Sequence, residues 1–567
     1  MKIYLYPATL LLIFTLASCG SVNNQQGGSS DANALATIHD FNKSLTPELL
    51  SEHLHIVASD SFEGRGTGQP GMQKAADYIT AYYKANGVKA GLEDGYYQKF
   101  YLQGQANKSI ETKIIQVVDG DSTAVYEGTF SNSTVSAFYP AFGGEVSATA
   151  DIIFAGYGIT DANRNIDHLE GLEIKDKWVM IFEEIQHVVD GDTLVSAEIG
   201  SRQRLSDLIF RRGAAGLIMV SHFDETEFMN DALAAGSVFG MPGRLSLEYT
   251  NPRGGFRATV LNINPSHAEM LLGLSESGSN IGEFYQTVSS NPSAFKPFQL
   301  NYSLSSKATL ETIQVPTQNI IAVVEGSDPL LKDEYVIVTA HYDHTGIGAP
   351  DATGDRIYNG ADDDGSGTVA VMTMAKAMND AKLAGKGPKR SVMFLHVTAE
   401  EIGLLGSRYY SDHPTVPVEN IIANLNVDMI GRIDEEHEAA GEEDYVYIIG
   451  AEIISSGLNA TLNKANELNG NEIRFDMKYN DLTDPNQFYR RSDHWNFGRL
   501  GIPFAFYFTG VHVDYHRPSD TPDKILYNKY AKITRQIYST AAELANNPER
   551  PVVDSQEFIN ITQTNSR

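Results

Sequence analysis

From about residue 319 the apolar positions fall into short, nearly unbroken runs separated by stretches with helical spacing. The runs at 335–340, 391–398, 422–427 and 503–508 are rich in Val, Ile, Leu and Phe. Such runs predict strands covered on both faces. Residues 368–380, 404–411, 455–468 and 529–545 have the spacing of helices. Alternating strands and helices imply an α/β sheet with helices against it. Upstream, 71–86 places Ala75, Ala76, Ile79, Tyr82 and Tyr83 on one helical face, with Gly87 as a C-terminal stop. Between 131 and 300 the texture changes. Short β-type runs at 150–155, 178–182 and 216–220, one helical stretch at 202–212, and Gly and Asn/Asp turns predict a separate β-rich domain. No internal repeat is visible.

Length and charge narrow the picture. A chain of 567 residues exceeds one core, so two or three units are expected. The net charge of -29 argues against nucleic acid and against an electrostatic hold on anionic lipid. Lys2 and the mostly apolar run 3–16 have the layout of a signal peptide and are too short to span a membrane. The run ends in Leu16-Ala17-Ser18-Cys19, which resembles the lipobox of bacterial lipoproteins. Cys19 would then carry the lipid anchor and place the chain at the bacterial cell envelope. It is the only cysteine, so neither an intrachain disulfide nor a thiolate metal site is available. The polar Gly/Ser-rich stretch that follows reads as a tether. The expected organisation is a signal peptide (1–18), a tether (19–34), an N-terminal part of the main domain (35–130), the insert (131–300), the main domain (301–550) and a polar tail (551–567).

The candidate chemistry sits at strand ends. His341 and Asp343 follow the run at 335–340, Glu400 and Glu401 follow 391–398, Asp428 closes 422–427, and His516 comes shortly after 503–508. In open α/β sheets, ligands bind beyond the carboxyl ends of the strands. Four strands therefore deliver carboxylates or imidazoles to one edge. Without cysteine, zinc takes His nitrogen and carboxylate oxygen. A metal pair about 3.5–4 Å apart also needs a carboxylate between its members. The acidic run Asp362-Asp363-Asp364, set among glycines, offers three candidates for that bridge. His512 rivals His516, and either Glu400 or Glu401 could face a metal while the other faces water.

These motifs are similar to those of the co-catalytic zinc aminopeptidases. That family includes secreted bacterial aminopeptidases, glutamate carboxypeptidase and the transferrin receptor. The match runs through His341-Tyr342-Asp343-His344, Gly360-Ala361-Asp362-Asp363-Asp364-Gly365-Ser366-Gly367, Ala399-Glu400-Glu401-Ile402-Gly403-Leu404, Asn426-Val427-Asp428-Met429-Ile430-Gly431 and Asp514-Tyr515-His516-Arg517-Pro518-Ser519-Asp520. Ser59-Asp60-Ser61-Phe62-Glu63-Gly64-Arg65 resembles the family's N-terminal segment, and the insert is similar to a protease-associated domain. The resemblance implies a mixed-sheet α/β/α zinc exopeptidase domain with an inserted β-rich protease-associated domain. It implies two zinc ions per chain, one held by His341 and Asp428, one by Glu401 and His516, with Asp363 bridging. Asp343 would orient the imidazole of His341. Glu400 would be the general base, and Tyr515 a donor to the developing oxyanion. Arg491-Ser492-Asp493-His494 would border the substrate pocket, and His344 and His396 would be structural. Asp364 stands where relatives often carry Asn.

The function implied is removal of N-terminal residues from peptides. Three alternatives stay open: a glutamate-releasing carboxypeptidase, for which Arg432, Arg491 and Arg517 are candidate anion binders; a one-zinc glutaminyl-cyclase-like enzyme; and a non-catalytic receptor-like relative. The insert is expected to act as a lid or substrate selector.

Overall fold

The four predicted strands of the main domain form as Tyr335–His341, Ser391–Val397, Ile421–Val427 and Phe504–Phe508, and nearly all of their residues are buried. This is a computed structural model, and it describes residues 37–118, 121–142, 147–162, 165–183, 188–189, 192–193, 203–239, 244–250 and 259–565. The signal-peptide, Cys19 and tether readings lie outside those residues. The four strands run parallel in the order 504–508, 421–427, 335–341, 391–397. Tyr445–Gly450 adds antiparallel beside Phe504–Phe508, and the long strand Phe298–Val324 adds antiparallel beside Ser391–Val397. The sheet is therefore mixed.

Helices cover both faces. Gly367–Leu383, Tyr527–Asn546, Pro47–Val57 and Pro70–Ala85 share one core with Val336, Val338 and Ala340. Leu405–Asp412 and His494–Gly498 put Tyr410 and Phe497 against Ile337, Met393 and Leu395 on the other face. Each fully buried aliphatic side chain here stabilises the layer by about 1.5–3 kcal/mol. Helix Pro47–Val57 starts where the Thr46 hydroxyl accepts from the Leu49 N–H, with Pro47 at its first turn. Residues 551–567, read as a polar tail, contain a further helix, Gln556–Asn565. Its Phe558 is buried against Phe504, and Val553 and Ile561 pack beside it, so a few apolar residues in a polar sequence dock it.

The region 131–300 has its own cores, around Trp178 and Ile218 on one side and Ile181 and Leu217 on the other. It carries helices as well as strands. Ala148–Phe154, Trp178–Phe182, Gly216–Val220 and Thr259–Ile263 pair in parallel, and Glu225–Val238 and Ile281–Ser290 pack beside them. Its root lies deeper than the sequence boundary. Tyr97–Val118 pairs with Phe298–Val324 from Tyr97↔Ile320 out to Gln116↔Tyr302. Ile110, Ile114 and Leu304 on this two-stranded ribbon belong to the insert's core. Packing thus assigns 121–130 and the outer half of the ribbon to the insert. One sheet runs unbroken through both units.

Two buried histidines carry a pH consequence. His396 is fully buried with Nε2 2.6 Å from the Tyr83 hydroxyl, and burial pushes its pKa down to about 3. His494 lies 4.5 Å from the Phe506 ring, and burial likewise pushes it to about 3. Both are neutral in the fold, whereas the ordinary value is 6.5. The unfolded chain therefore binds two more protons as pH falls below 6.5. Stability from these groups is fully present above that pH and lost as pH falls towards 3, by about 1.4 kcal/mol per pH unit for each group. Urea unfolding between pH 4 and 6 should show this slope, and His396→Gln should remove about half of it.

Candidate active site

Each parallel strand ends by turning a polar side chain into one cleft. His341 is the last residue of its strand and 1% exposed. Its Nε2 lies 3.3 Å from Asp363 Oδ1 and 3.6 Å from Asp428 Oδ1. On the other side, His516 Nε2 lies 3.1 Å from both Asp363 Oδ2 and Glu401 Oε2. The two oxygens of Asp363 thus face two separate His/carboxylate groups. His341, Asp363, Asp428 form one set of atoms close enough to share an ion, and His344, Asp363, Glu401 form another.

Backbone contacts separate the three consecutive aspartates. Asp362 Oδ1 accepts the Gly431 N–H at 2.6 Å. Asp364 accepts from His341 N–H, Gly367 N–H and Met429 N–H. Asp363 points into the cleft. Its loop is held from behind by Asp520, whose Oδ2 accepts the N–H groups of Asp362 and Asp363 at 3.0 and 3.2 Å. The two candidate histidines of the last loop also part company. His512 lies 3.4 Å from Asp362 Oδ2, away from Glu401, while His516 reaches the cleft from a left-handed backbone (φ +54) with its ring 3.8 Å from that of Tyr515.

Two expected roles differ from the geometry. The Asp343 carboxylate is 3.9 Å from His341 Nδ1, and the acceptor there is the Asp343 backbone carbonyl at 3.0 Å. That carbonyl fixes Nδ1 as the protonated nitrogen and leaves Nε2 for the cleft. The carboxylate serves its neighbours instead, accepting the Thr67 hydroxyl at 2.8 Å and the Glu400 N–H at 3.3 Å. His344, expected to be structural, is a member of the cleft: its Nδ1 is 2.6 Å from Glu401 Oε1 and 3.8 Å from Asp363 Oδ2. His396, expected to be structural, stays in the core.

Asp428 is steadied by the Ser492 hydroxyl, which donates to Oδ2 at 2.7 Å and accepts from Asn426 Nδ2. Glu400, Tyr515 and Arg491 line the same cavity. Burial drives the Glu400 carboxyl well above the usual range; His341 opposes this, while Glu401, Asp493 and Asp428 reinforce it. Burial opposes protonation of His516, yet Asp363 and Glu401 hold it up to about 10. The acids of the cleft outnumber its bases, and such a field favours cations.

In the sequence, Arg65 stands out only as the last residue of the N-terminal motif, with no role attached. It is fully buried and donates to four backbone carbonyls: Tyr342 at 3.0 Å, Val57 at 3.0 Å, Asn359 at 2.7 Å and Gly360 at 2.8 Å. It ties the His341 loop to the Asp363 loop. Burial presses it to give up its proton, while Asp363, Asp364, Asp520 and Asp343 oppose that. Gly64 beside it has φ +63, and a Cβ there would run into the backbone oxygens of Tyr358 and Gly346. The insert also reaches this neighbourhood: Leu247 packs with Ala399, the residue before Glu400, and the Tyr249 hydroxyl donates to Asp412 at 3.0 Å.

Known proteins bear on this geometry. Leucine aminopeptidase 2 of Trichophyton equinum is 28% identical over 263 residues, 41% of this chain and 47% of the relative. Aminopeptidase Y of Saccharomyces cerevisiae is 27% identical over 262 residues, 44% of this chain and 43% of the relative. The chain therefore spans about half the length of the curated relatives it matches. Among solved structures, an aminopeptidase from Aneurinibacillus sp. strain AM-1 aligns with a TM-score of 0.47 and 18% identity, covering 91% of this chain and 98% of that one. The model of Peptidase family M28 matches residues 319–541, the stretch that supplies every cleft residue described above from His341 to His516. The likeness to peptidase family M28 therefore covers the segment that carries the cleft.

Proposed function

We propose that this chain is an aminopeptidase holding two zinc ions, with His341 and Asp428 on one, Glu401 and His516 on the other, and Asp363 between them. The observation that carries this is the placement of Asp363, with Oδ1 near His341 and Oδ2 near His516. The donor set is nitrogen and oxygen only, which suits zinc. His344, at 2.6 Å from Glu401, would orient that carboxylate.

Bound zinc would polarise the peptide carbonyl and acidify water. The chain's own residues do the rest. Glu400 takes a proton from water and returns it to the leaving amine. The turn after Ser391–Val397 and the Asp343 carboxylate hold its backbone in place. Tyr515 lines the cavity, where its hydroxyl would donate to the oxygen that gains charge.

Metal analysis tests the reading. Two zinc ions per chain and release of the first residue from N-terminally free peptides are expected. One tightly held zinc would favour the cyclase-like alternative, and no release from free N-termini would overturn the aminopeptidase. Stripping the metal with a chelator should also lower stability. At free zinc about 1,000 times its dissociation constant, each bound ion contributes about 4 kcal/mol. Thermal unfolding with and without chelator measures it.

A further inference from the structure

The cavity beside the cleft has a composition that an apolar substrate does not explain. It holds about 400 Å³ of space open to solvent. Asp363, Glu400 and Asp428 stand at one side, and Met429, Phe488, Phe506, Phe508 and Val511 form the apolar wall. Arg491 stands on the same lining. Its guanidinium lies 4.9 Å from the centre of the Phe488 ring, and its backbone N–H donates to the Phe488 carbonyl at 3.3 Å. No carboxylate among the described residues forms an ion pair with it. Arg432 is committed to Asp514 and Arg499 to Asp412, and Arg490 and Arg517, which like Arg491 form no ion pair among the described residues, are not part of this lining. In a chain with 72 acidic and 43 basic residues, an exposed guanidinium without an acid is an available anion site.

We propose that Arg491 makes this cavity a receptor for an acidic first side chain, so that the enzyme removes N-terminal glutamyl residues. The inference rests on the aminopeptidase reading. In that reading the carbonyl under attack sits among Asp363, Asp428 and Glu400, and the first side chain branches off one atom away into the adjoining cavity. Glutamate has two methylenes to lie along Phe488 and Phe508 and a carboxylate to meet the planar guanidinium fork. Arg491 is held over the Phe488 face, so less ordering is needed on binding. The surrounding acids would otherwise repel such a side chain. The guanidinium offsets that repulsion locally.

The test compares kcat/KM for glutamyl, leucyl and lysyl p-nitroanilides in the zinc-loaded wild type, Arg491→Gln and Arg491→Glu. The wild type should cleave the glutamyl substrate with kcat/KM at least comparable to the leucyl one. Arg491→Gln should lower the glutamyl-to-leucyl ratio by about 10–100-fold, the effect of one lost charge-assisted contact. Arg491→Glu should raise the lysyl-to-glutamyl ratio further. An equal fall on all three substrates overturns the proposal, as does a wild type that cleaves the leucyl anilide and leaves the glutamyl one intact. Acetyl-Ala-Glu is the control for the other end of the substrate. If the wild type releases its C-terminal glutamate and Arg491→Gln abolishes that, the guanidinium reads a C-terminal carboxylate and the proposal falls. If no aminoacyl anilide is cleaved at all, the aminopeptidase reading has failed, and this inference with it.

Discussion

On the two-zinc aminopeptidase reading, Glu400→Gln should keep both metals and lose turnover by about 10²–10⁴. The amide has the shape of the carboxylate, and the backbone N–H that donates to Asp343 Oδ1 is untouched. What disappears is the ability to accept a proton. In the wild type, burial and the neighbouring Glu401, Asp493 and Asp428 make Glu400 a stronger proton acceptor than an exposed carboxylate. Zinc content by mass spectrometry beside kcat on an aminoacyl anilide separates the outcomes. Retained zinc with unchanged kcat would remove Glu400 from the chemistry. Loss of zinc would make it a ligand.

Arg65→Ala is expected to be the most damaging single change outside the cleft, costing about 3–5 kcal/mol of stability. The substitution removes the Arg65 donors from the carbonyls of Tyr342, Val57, Asn359 and Gly360 and takes away a buried cation behind Asp343, Asp363, Asp364 and Asp520. Lysine brings the charge but not the fork, so Arg65→Lys should recover part of the loss. The urea midpoint measures it. Thr67→Val is a milder companion that removes only the hydroxyl on Asp343 Oδ2 and should fold. If Arg65→Ala unfolds at the wild-type midpoint, the tie between the two loops contributes nothing.

The parts of the site that could be read from the sequence are those that strands deliver. His341, Asp428 and the Glu400-Glu401 pair follow nearly unbroken apolar runs, and a parallel sheet brings the ends of such runs to one edge. Choosing among Asp362, Asp363 and Asp364 is different in kind. The choice is made by the N–H groups of Gly431, Met429 and His341 and by Asp520, all distant in sequence. His344 was missed because it leaves the strand in a turn whose direction is fixed by pairing with Gly66, nearly 280 positions earlier. The ribbon could have been found. Phe100, Leu102, Ala106, Ile110, Thr112 and Ile114 are buried on alternate positions, but the polar residues between them hid a single strand of 22 residues.

That ribbon bears on how the insert can move. The chain passes into and out of the insert along two antiparallel strands hydrogen-bonded side by side, and its inner end, Ile320–Val324, lies against Ser391–Val397. A loose pair of linkers would let the insert swing. A two-stranded stem resists bending in its own plane and yields most readily to torsion. The insert is also clamped beside the stem, where Ser246–Leu247 pairs with Leu102 and Gln103 and Tyr249 bonds to Asp412, so a rotation about the stem would have to break these contacts, one strand away from the turn that holds Glu400 and Glu401. On the aminopeptidase reading, releasing the clamp with Tyr249→Phe should change the ratio of long to short peptides cleaved if the insert governs access, and leave it unchanged if it does not.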